Sequence, residues 1–273
     1  MRLRRAGLAA GVVVGLLAVL VGALWAGQRS LVFAPDASSV TAPDDAREVT
    51  LTTRDDLELT AWLIEPDGES RERAVLYAPG NGGNRAGRIG IGRALADEGF
   101  TVLLLDYRGY GGNPGNPSEE GLAEDARAAV DLLRGEGFGA DETLYVGESI
   151  GTGVVARLQA DRPPAGMLLR SPFTDFAAVG SHHYPFLPVR TLLRDRFPVE
   201  RYVRASDVPV TVVRGTADEV VPAEQSARVA DTAGNLSDEV VLDGVGHNDA
   251  EMFGRPVVEA VVRLDEAVSR GPR

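Results

Sequence analysis

Apolar runs of strand length alternate with helix-length segments over most of this chain, and this alternation constrains its fold more than any other feature. Near-continuous apolar strands separated by amphipathic helices indicate an α/β fold, in which helices cover both faces of a mostly parallel sheet. Ahead of them, alternating residues in 49–53 and 57–66 around an Asp-Asp turn predict a β-hairpin. The predicted parallel strands are 73–79, 101–107, 143–148, 165–172, 208–215 and 238–244, and the predicted helices are 85–98, 118–133, 149–161, 222–232 and 251–268.

The N-terminus has the composition of a membrane segment. Residues 6–27 carry no charged side chain, and Arg2, Arg4 and Arg5 precede them. Because a helix of about 20 apolar residues crosses a bilayer, we predict a single-pass anchor within 1–27. The arginines favour a cytoplasmic N-terminus, which places the rest of the chain outside the cell. A cleaved signal peptide, which would make the domain secreted, is the alternative, but its apolar core is usually only about 7–15 residues long.

The remaining length is enough for one large domain. We predict a polar linker over residues 28–47 and a single domain over 48–273. The one long irregular segment, 172–207, is rich in aromatic residues and interrupts the strand and helix pattern. Connections of such length are commonly functional, and we interpret this segment as a small lid.

Composition excludes several classes of function. The formal net charge is −12, so nucleic-acid binding is not expected, and membrane attachment would depend on the N-terminal helix. The absence of cysteine excludes disulfides, thiolate metal ligands and a thiol nucleophile. The oligomeric state is left open.

A candidate nucleophile follows the strand at 143–148. Residues Gly147-Glu148-Ser149-Ile150-Gly151 match the pattern G-x-S-x-G, with an apolar strand before it and a helix after it. This context is the one that a nucleophile elbow requires, because the serine must stand at a sharp strand-to-helix turn. We therefore predict that Ser149 is the catalytic nucleophile.

A serine hydroxyl needs a base, and the chain contains three histidines. His247 lies just past the last predicted strand, whereas His182 and His183 lie in the lid segment. Asp218 lies just past the strand 208–215, and the order Ser149, Asp218, His247 is that of a nucleophile, an acid and a base in hydrolases with this elbow. We predict this triad, with Glu219 as the alternative acid.

Two backbone N–H groups are the expected oxyanion hole. The residue after the nucleophile, Ile150, supplies one of them. The loop after the strand 73–79 reads Pro-Gly-Asn-Gly-Gly-Asn, and its three glycines allow backbone N–H groups to face a cavity. We select Asn81 in this loop as the second donor.

Six segments together carry a family resemblance, in the expected order: GNGGN at 80–84, DYRGYGGNPGNPSEEG at 106–121, GESIG at 147–151, SPFTD at 171–175, GTADEVVP at 215–222 and GVGHND at 244–249. From about residue 49 to its end, the chain resembles the α/β-hydrolase superfamily. It is most similar to the membrane-anchored serine hydrolases with a short lid, which are grouped as serine aminopeptidase-like or lipase-like.

The resemblance implies a sheet of about eight strands, with Asp106 and Arg108 in a structural turn and Asp175 at the base of the lid. Family members commonly carry His-Gly before the oxyanion residue, where this chain has Pro79-Gly80, and a serine where it has Asn113. Neither departure removes a triad residue.

The predicted activity is hydrolysis of a carboxylic ester through an acyl-enzyme, with no metal and no organic cofactor. A small-molecule or lipid acyl compound, or a thioester, is the expected substrate. A serine peptidase on the same triad is one alternative, and a non-catalytic membrane-anchored interaction module is the other.

Overall fold

The computed structural model describes residues 2–270, without the side chains of residues 2–10, 13, 14 and 17. Its longer strands coincide with the apolar runs of the sequence, whereas two further strands have only two residues each. Continuous apolar strands are typical of a sheet that is covered on both faces. The strands are β1 Ala34–Pro35, β2 Arg47–Thr52, β3 Glu58–Ile64, β4 Ala74–Ala78, β5 Gly82–Gly83, β6 Thr101–Leu104, β7 Thr143–Glu148, β8 Gly166–Arg170, β9 Val210–Gly215 and β10 Leu236–Leu242. The helices are α1 Arg2–Val32, α2 Ile89–Asp97, α3 Glu119–Gly135, α4 Ile150–Leu158, α5 Phe176–His183, α6 Val189–Leu192, α7 Val199–Arg204, α8 Ala223–Thr232 and α9 Arg255–Ser269.

One large sheet forms the centre of the fold, with the strand order β10-β9-β8-β7-β4-β6-β3-β2. Neighbouring strands from β10 to β6 are parallel, and β3 is antiparallel to both β6 and β2. The predicted hairpin and the mostly parallel sheet of about eight strands are therefore confirmed. Because the carboxyl ends of parallel strands meet at one edge, the loops after β4, β7, β9 and β10 lie together there.

Each face of the sheet has its own apolar core. Along β4, Leu76 belongs to one cluster, whereas its neighbours Val75 and Tyr77 belong to the other, as the pleat of a strand requires. Helices α3 and α4 pack in the first cluster, and α2 and α9 pack in the second. The core thus lies in two layers, one on either side of the sheet.

The start of α3 follows a local sequence signal. Ser118 caps α3, and its hydroxyl accepts a hydrogen bond from the Gly121 N–H at 3.0 Å. The helices predicted at 85–98 and 251–268 each begin as a 3-10 turn, Arg85–Arg88 and Ala250–Phe253, and then continue as α2 and α9.

The N-terminal region differs from its prediction. Within the described part of the chain, no helix combines the length and the apolar character needed to cross a bilayer. The membrane-spanning helix predicted within 1–27 is therefore not supported, and part of that segment has side chains outside the described residues. The location of the domain outside the cell stays a prediction. Residues 28–47, predicted as a linker, contain the end of α1 and β1 and contact the domain, for example through the buried Phe33.

The lid segment carries the short helices α5, α6 and α7. Asp175 caps α5 through the Ala177 N–H at 2.7 Å and binds Arg196 at 2.7 Å. The aromatic residues of the lid segment fall into two groups: Phe173 and Phe197 are buried, whereas Tyr184 and Phe186 are exposed.

Candidate active site

Ser149 stands between β7 and α4 in a strained backbone conformation. Its φ is 52° and its ψ is −114°, a region that non-glycine residues rarely adopt. The backbone packs tightly on both sides of this turn. A Cβ at Gly151 would collide with the carbonyl oxygen of Ala78, and a Cβ at Gly147 would lie 2.7 Å from the carbonyl oxygen of Gly151. The G-x-S-x-G glycines are thus required by the close approach of α4 to the sheet.

His247 and Asp218 form a buried pair at the same sheet edge. The His247 Nδ1 lies 2.7 Å from Asp218 Oδ2, and both side chains are almost fully buried. The other oxygen of Asp218 accepts hydrogen bonds from the N–H groups of Val220 at 3.0 Å and Val221 at 2.8 Å. These bonds fix the carboxylate against the imidazole ring.

The Asp218 carboxyl stays ionised despite its burial. Burial alone would raise its pKa, but the hydrogen bond and charge of His247 and the N–H of Val221 hold the pKa of Asp218 below its usual value. An ionised Asp218 orients the ring so that the Nε2 atom of His247 can accept a proton.

One cavity of about 510 Å³ is lined by three of the five predicted site residues. Ser149, His247 and Asn81 line it, and Val220 and Phe253 form part of its wall. Among the described residues, no hydrogen bond joins the Ser149 hydroxyl to His247. Catalytic hydrogen bonds often tighten only when the substrate is bound, so a shared cavity is the relevant geometry.

Of the two predicted oxyanion donors, Asn81 lines this cavity, and Ile150 directly follows Ser149, which also lines it. Ile150 is the first residue of α4, where a helix leaves its N–H groups without an acceptor. Asn81 follows β4 in the glycine-rich loop that forms another part of the cavity lining. No backbone acceptor is recorded for either N–H within the described chain.

Comparisons with known proteins agree with this architecture. A family model described as alpha/beta hydrolase fold matches residues 73–198. An uncharacterized protein of Mycobacterium tuberculosis (strain H37Rv) is 42% identical over 247 residues, which cover 88% of each chain. The chain belongs to the α/β-hydrolase fold family.

One curated relative and one solved structure are also similar to this α/β-hydrolase. The lysophosphatidylserine lipase ABHD12 of Danio rerio is 30% identical over 194 residues, which cover 63% of this chain but only 50% of that protein. An esterase of Pyrococcus furiosus superposes with a TM-score of 0.69 at 20% identity, over 87% of this chain and 97% of its own. The second likeness shows the fold alone.

A buried charge network, which the sequence did not predict, lies beside Ser149 in this α/β-hydrolase. Glu148, directly before Ser149, lies within 2.6 Å of Arg88 Nη2 and 3.0 Å of Arg170 Nη2, and it accepts a hydrogen bond from the Tyr77 hydroxyl at 2.9 Å. One signal was available: a charged residue that ends an otherwise apolar strand must find partners when it is buried.

Burial alone would raise the pKa of Glu148, but the charge of Arg170, the bonds and charge of Arg88 and the Tyr77 hydroxyl lower it to about 2. Phe253 lies against both cations, with its ring centroid 4.4 Å from the guanidinium carbon of Arg170 and 5.9 Å from that of Arg88. Arg170 also donates to the carbonyl oxygen of His247 at 2.9 Å. The network thus joins the nucleophile elbow to the histidine loop of the α/β-hydrolase.

The other candidate residues are exposed and are not part of the buried pair. Glu219 is exposed, and its carboxylate makes no recorded bond with His247 among the described residues. His182 and His183 are exposed in the lid, where the Nε2 of His183 lies 2.9 Å from the Val220 carbonyl oxygen. Within the described residues, no group of three or more histidines and carboxylates is arranged to hold a metal ion.

Proposed function

We propose that this chain is a serine hydrolase that cleaves carboxylic esters through an acyl-enzyme. One observation carries the proposal: the strained Ser149 elbow opens into the same cavity as His247, whose other ring nitrogen is bound by the buried Asp218. An activated serine needs this order of base and orienting acid.

In the proposed mechanism, the Ser149 oxygen attacks the ester carbonyl carbon while His247 Nε2 takes its proton. The backbone N–H groups of Ile150 and Asn81 donate to the oxygen that becomes negatively charged, and such donors are usually a large part of catalysis. His247 then gives the proton to the departing alcohol. A water molecule, deprotonated by His247, attacks the acyl carbon, and His247 returns this proton to the Ser149 oxygen as its bond to the acyl group breaks and the carboxylic acid leaves.

A lipid-derived ester is the proposed substrate class. A relative matched over most of this domain is named as a lysophosphatidylserine lipase, although the chain spans only half of that protein. The lid adds exposed apolar side chains, with Tyr184 at 54% and Phe186 at 78% exposure, that suit contact with an acyl chain. Both points support an ester with a long apolar acyl group.

The cavity does not favour the peptidase alternative. In the described part of the chain, Glu148 is the one carboxylate among the residues that line the cavity, and it already forms ion pairs with Arg88 and Arg170. An aminopeptidase needs an acid that is available to a peptide amino group. The interaction module remains an alternative only if the serine proves unreactive.

The test is labelling of the full-length protein by a fluorophosphonate probe, followed by hydrolysis of esters of increasing acyl length and of a matched peptide amide. We expect labelling and ester cleavage by the wild type, and loss of both in Ser149→Ala. Ser181→Ala, which removes a lid hydroxyl bound to the Ala177 carbonyl oxygen, is the matched control and should still label. A folded wild-type protein that does not label would contradict the proposal.

A further inference from the structure

The chain before the domain is bound to the active-site loop. We call residues 28–36 the N-terminal strap; it comprises the end of α1, Phe33, β1 and Asp36. Phe33 is 3% exposed and packs edge-on against Phe197, with ring centroids 6.4 Å apart. A buried aromatic side chain fixes the strap to the core, so its backbone is a stable support for neighbouring groups.

The strap contacts the active-site loop through the side chain of Asn81. The Asn81 Nδ2 donates to the carbonyl oxygen of Val32 at 2.6 Å, and its Oδ1 accepts from the Ala34 N–H at 3.3 Å. The same oxygen accepts from the Tyr110 hydroxyl at 2.9 Å. The side chain of the predicted oxyanion residue is thus held at both ends by the strap and from a third direction by Tyr110.

The strap also pairs with the rest of this loop. β1 and β5 form a short parallel pair in which Ala34 faces Gly82 and Pro35 faces Gly83. Beyond them, Asp36 accepts a hydrogen bond from the Asn84 Nδ2 at 2.9 Å. The loop is therefore bound to the strap at Asn81, along β5 and at Asn84.

The other end of the strap binds the lid. Arg29 makes two bonds with the nearly buried Asp195, Nε to Oδ2 at 2.8 Å and Nη2 to Oδ1 at 3.1 Å. Gln28 donates to the Leu192 carbonyl oxygen at 3.2 Å and accepts from the Arg194 N–H at 2.8 Å. One short segment therefore connects the lid with the oxyanion loop.

The loop needs such support because of its composition. Gly80, Gly82 and Gly83 flank Asn81, and glycine has the largest conformational freedom to lose. An oxyanion donor works only within a narrow range of distance from the developing charge, and a displacement of about 1 Å can cost about 100-fold in rate. Loss of the contacts that hold Asn81 in place should therefore lower the rate of the reaction.

We propose that the N-terminal strap is a positioning element of the active site: through the Asn81 side chain and Asp36, it holds the Asn81 N–H where the oxyanion forms. This inference rests on the proposed serine hydrolase function. It assigns Asn81 two separate roles, a backbone donor to the substrate oxygen and a side chain that joins the loop to the strap.

The test uses the full-length protein and steady-state hydrolysis of a p-nitrophenyl ester. Asn81→Ala keeps the backbone N–H but removes all three side-chain bonds, and we expect kcat to fall about 10- to 100-fold with KM changed by less than about twofold. Asp36→Ala should lower kcat by a smaller factor. Because both changes release the same loop, the double variant should lose less than the product of the two single losses.

Asn235→Ala is the matched control, since its side chain also bonds a distant carbonyl oxygen, that of Asp207 at 2.7 Å, but far from the site. It should keep wild-type kcat. Tyr110→Phe removes one of the three Asn81 bonds without a change in volume, and it tests the idea if Asn81→Ala folds poorly. We expect Tyr110→Phe to lower kcat as well.

The outcomes separate the two proposals. Wild-type kcat in Asn81→Ala and Tyr110→Phe, with Ser149→Ala inactive, would overturn the positioning role and leave the hydrolase function standing. A thermal shift without a change in kcat would also overturn it, because that is the result for contacts with a purely structural role. A wild-type protein with no labelling and no ester cleavage would refute the hydrolase function itself.

Discussion

The candidate site contains two buried carboxylates, Asp218 and Glu148, that are bound in different ways. Asp218 binds one imidazole, His247, the group that takes up a proton in the proposed reaction. Glu148 binds two guanidinium groups, Arg88 and Arg170, which stay charged at all ordinary pH values. The environment lowers the pKa of both acids, but only the partner of Asp218 can take up a proton during a reaction.

From this difference we expect Asp218 to affect mainly the reaction rate and Glu148 to affect mainly the stability of the fold. In the proposed mechanism the His247 ring becomes charged and its attraction to Asp218 increases, so we expect Asp218 to stabilise the transition state more than the ground state. The attraction between Glu148 and its arginines is the same before and during the reaction. Replacing each acid by its amide should therefore change mainly a rate in one case and mainly a stability in the other.

The largest expected effect is that of Asp218→Asn on turnover. An amide at this position cannot hold His247 in the required tautomer, and kcat should fall by about 10⁴-fold. The melting temperature should change by only a few degrees, because the Val220 and Val221 N–H groups still have an oxygen acceptor. Ester hydrolysis and a thermal melt measure the two quantities.

Glu219→Gln is the control for this prediction. Its carboxylate is exposed beside Asp218, and the variant should keep kcat within about threefold of the wild type, in line with the small effects of surface substitutions. The opposite ranking, an active Asp218→Asn and an inactive Glu219→Gln, would move the orienting role to Glu219.

Glu148→Gln should cost stability. Arg170 is 1% exposed, and without the acid its charge stays buried without a carboxylate partner, so the free energy of unfolding should fall by about 3–5 kcal/mol at pH 7. The folded-state pKa of about 2 lies below the ordinary 4.5, so the charged form stabilises the fold above pH 4.5. This contribution is lost as the pH falls from 4.5 towards 2, and the gap between wild type and variant should narrow there.

Urea unfolding of both proteins at several pH values measures this gap. Glu239→Gln is the matched control, because Glu239 forms a half-exposed pair with Arg214 at 2.6 Å and should cost no more than about 1 kcal/mol. A gap for Glu148→Gln that stays constant down to pH 2 would show that the carboxylate charge does not stabilise the fold.

The regular part of the fold could be predicted from the sequence. Each strand from β4 to β10 that joins the large sheet lies on a local apolar run, and the start of α3 has a local signal, the N-cap Ser118. The strap could not be predicted, because β1 and β5 have two residues each and no periodicity. Asn81 and Val32 are 49 residues apart, and only the folded chain shows that they touch.

In the candidate site, too, some residues could be predicted from the sequence and others could not. Ser149, Asp218 and His247 follow strand ends in a fixed order, so a sequence pattern could indicate them before their geometry was known. Glu148 occupies a variable position of the G-x-S-x-G pattern. Its role depends on Arg88 and Arg170, which come from different elements, and only their meeting in the fold defines the network.

The smallest expected effect is that of replacing Phe253, whose ring lies beside the arginines that bind Glu148. Phe253 lies against the guanidinium groups of both Arg170 and Arg88, and Phe253→Leu keeps an apolar side chain while it removes the aromatic face. The free energy of unfolding should fall by about 1 kcal/mol. In the Glu148→Gln background the loss should be larger, because cations without their acid depend more on the ring. Urea unfolding of the two single variants and the double variant measures this coupling, and strictly additive losses would mean that Phe253 only fills space beside the arginines.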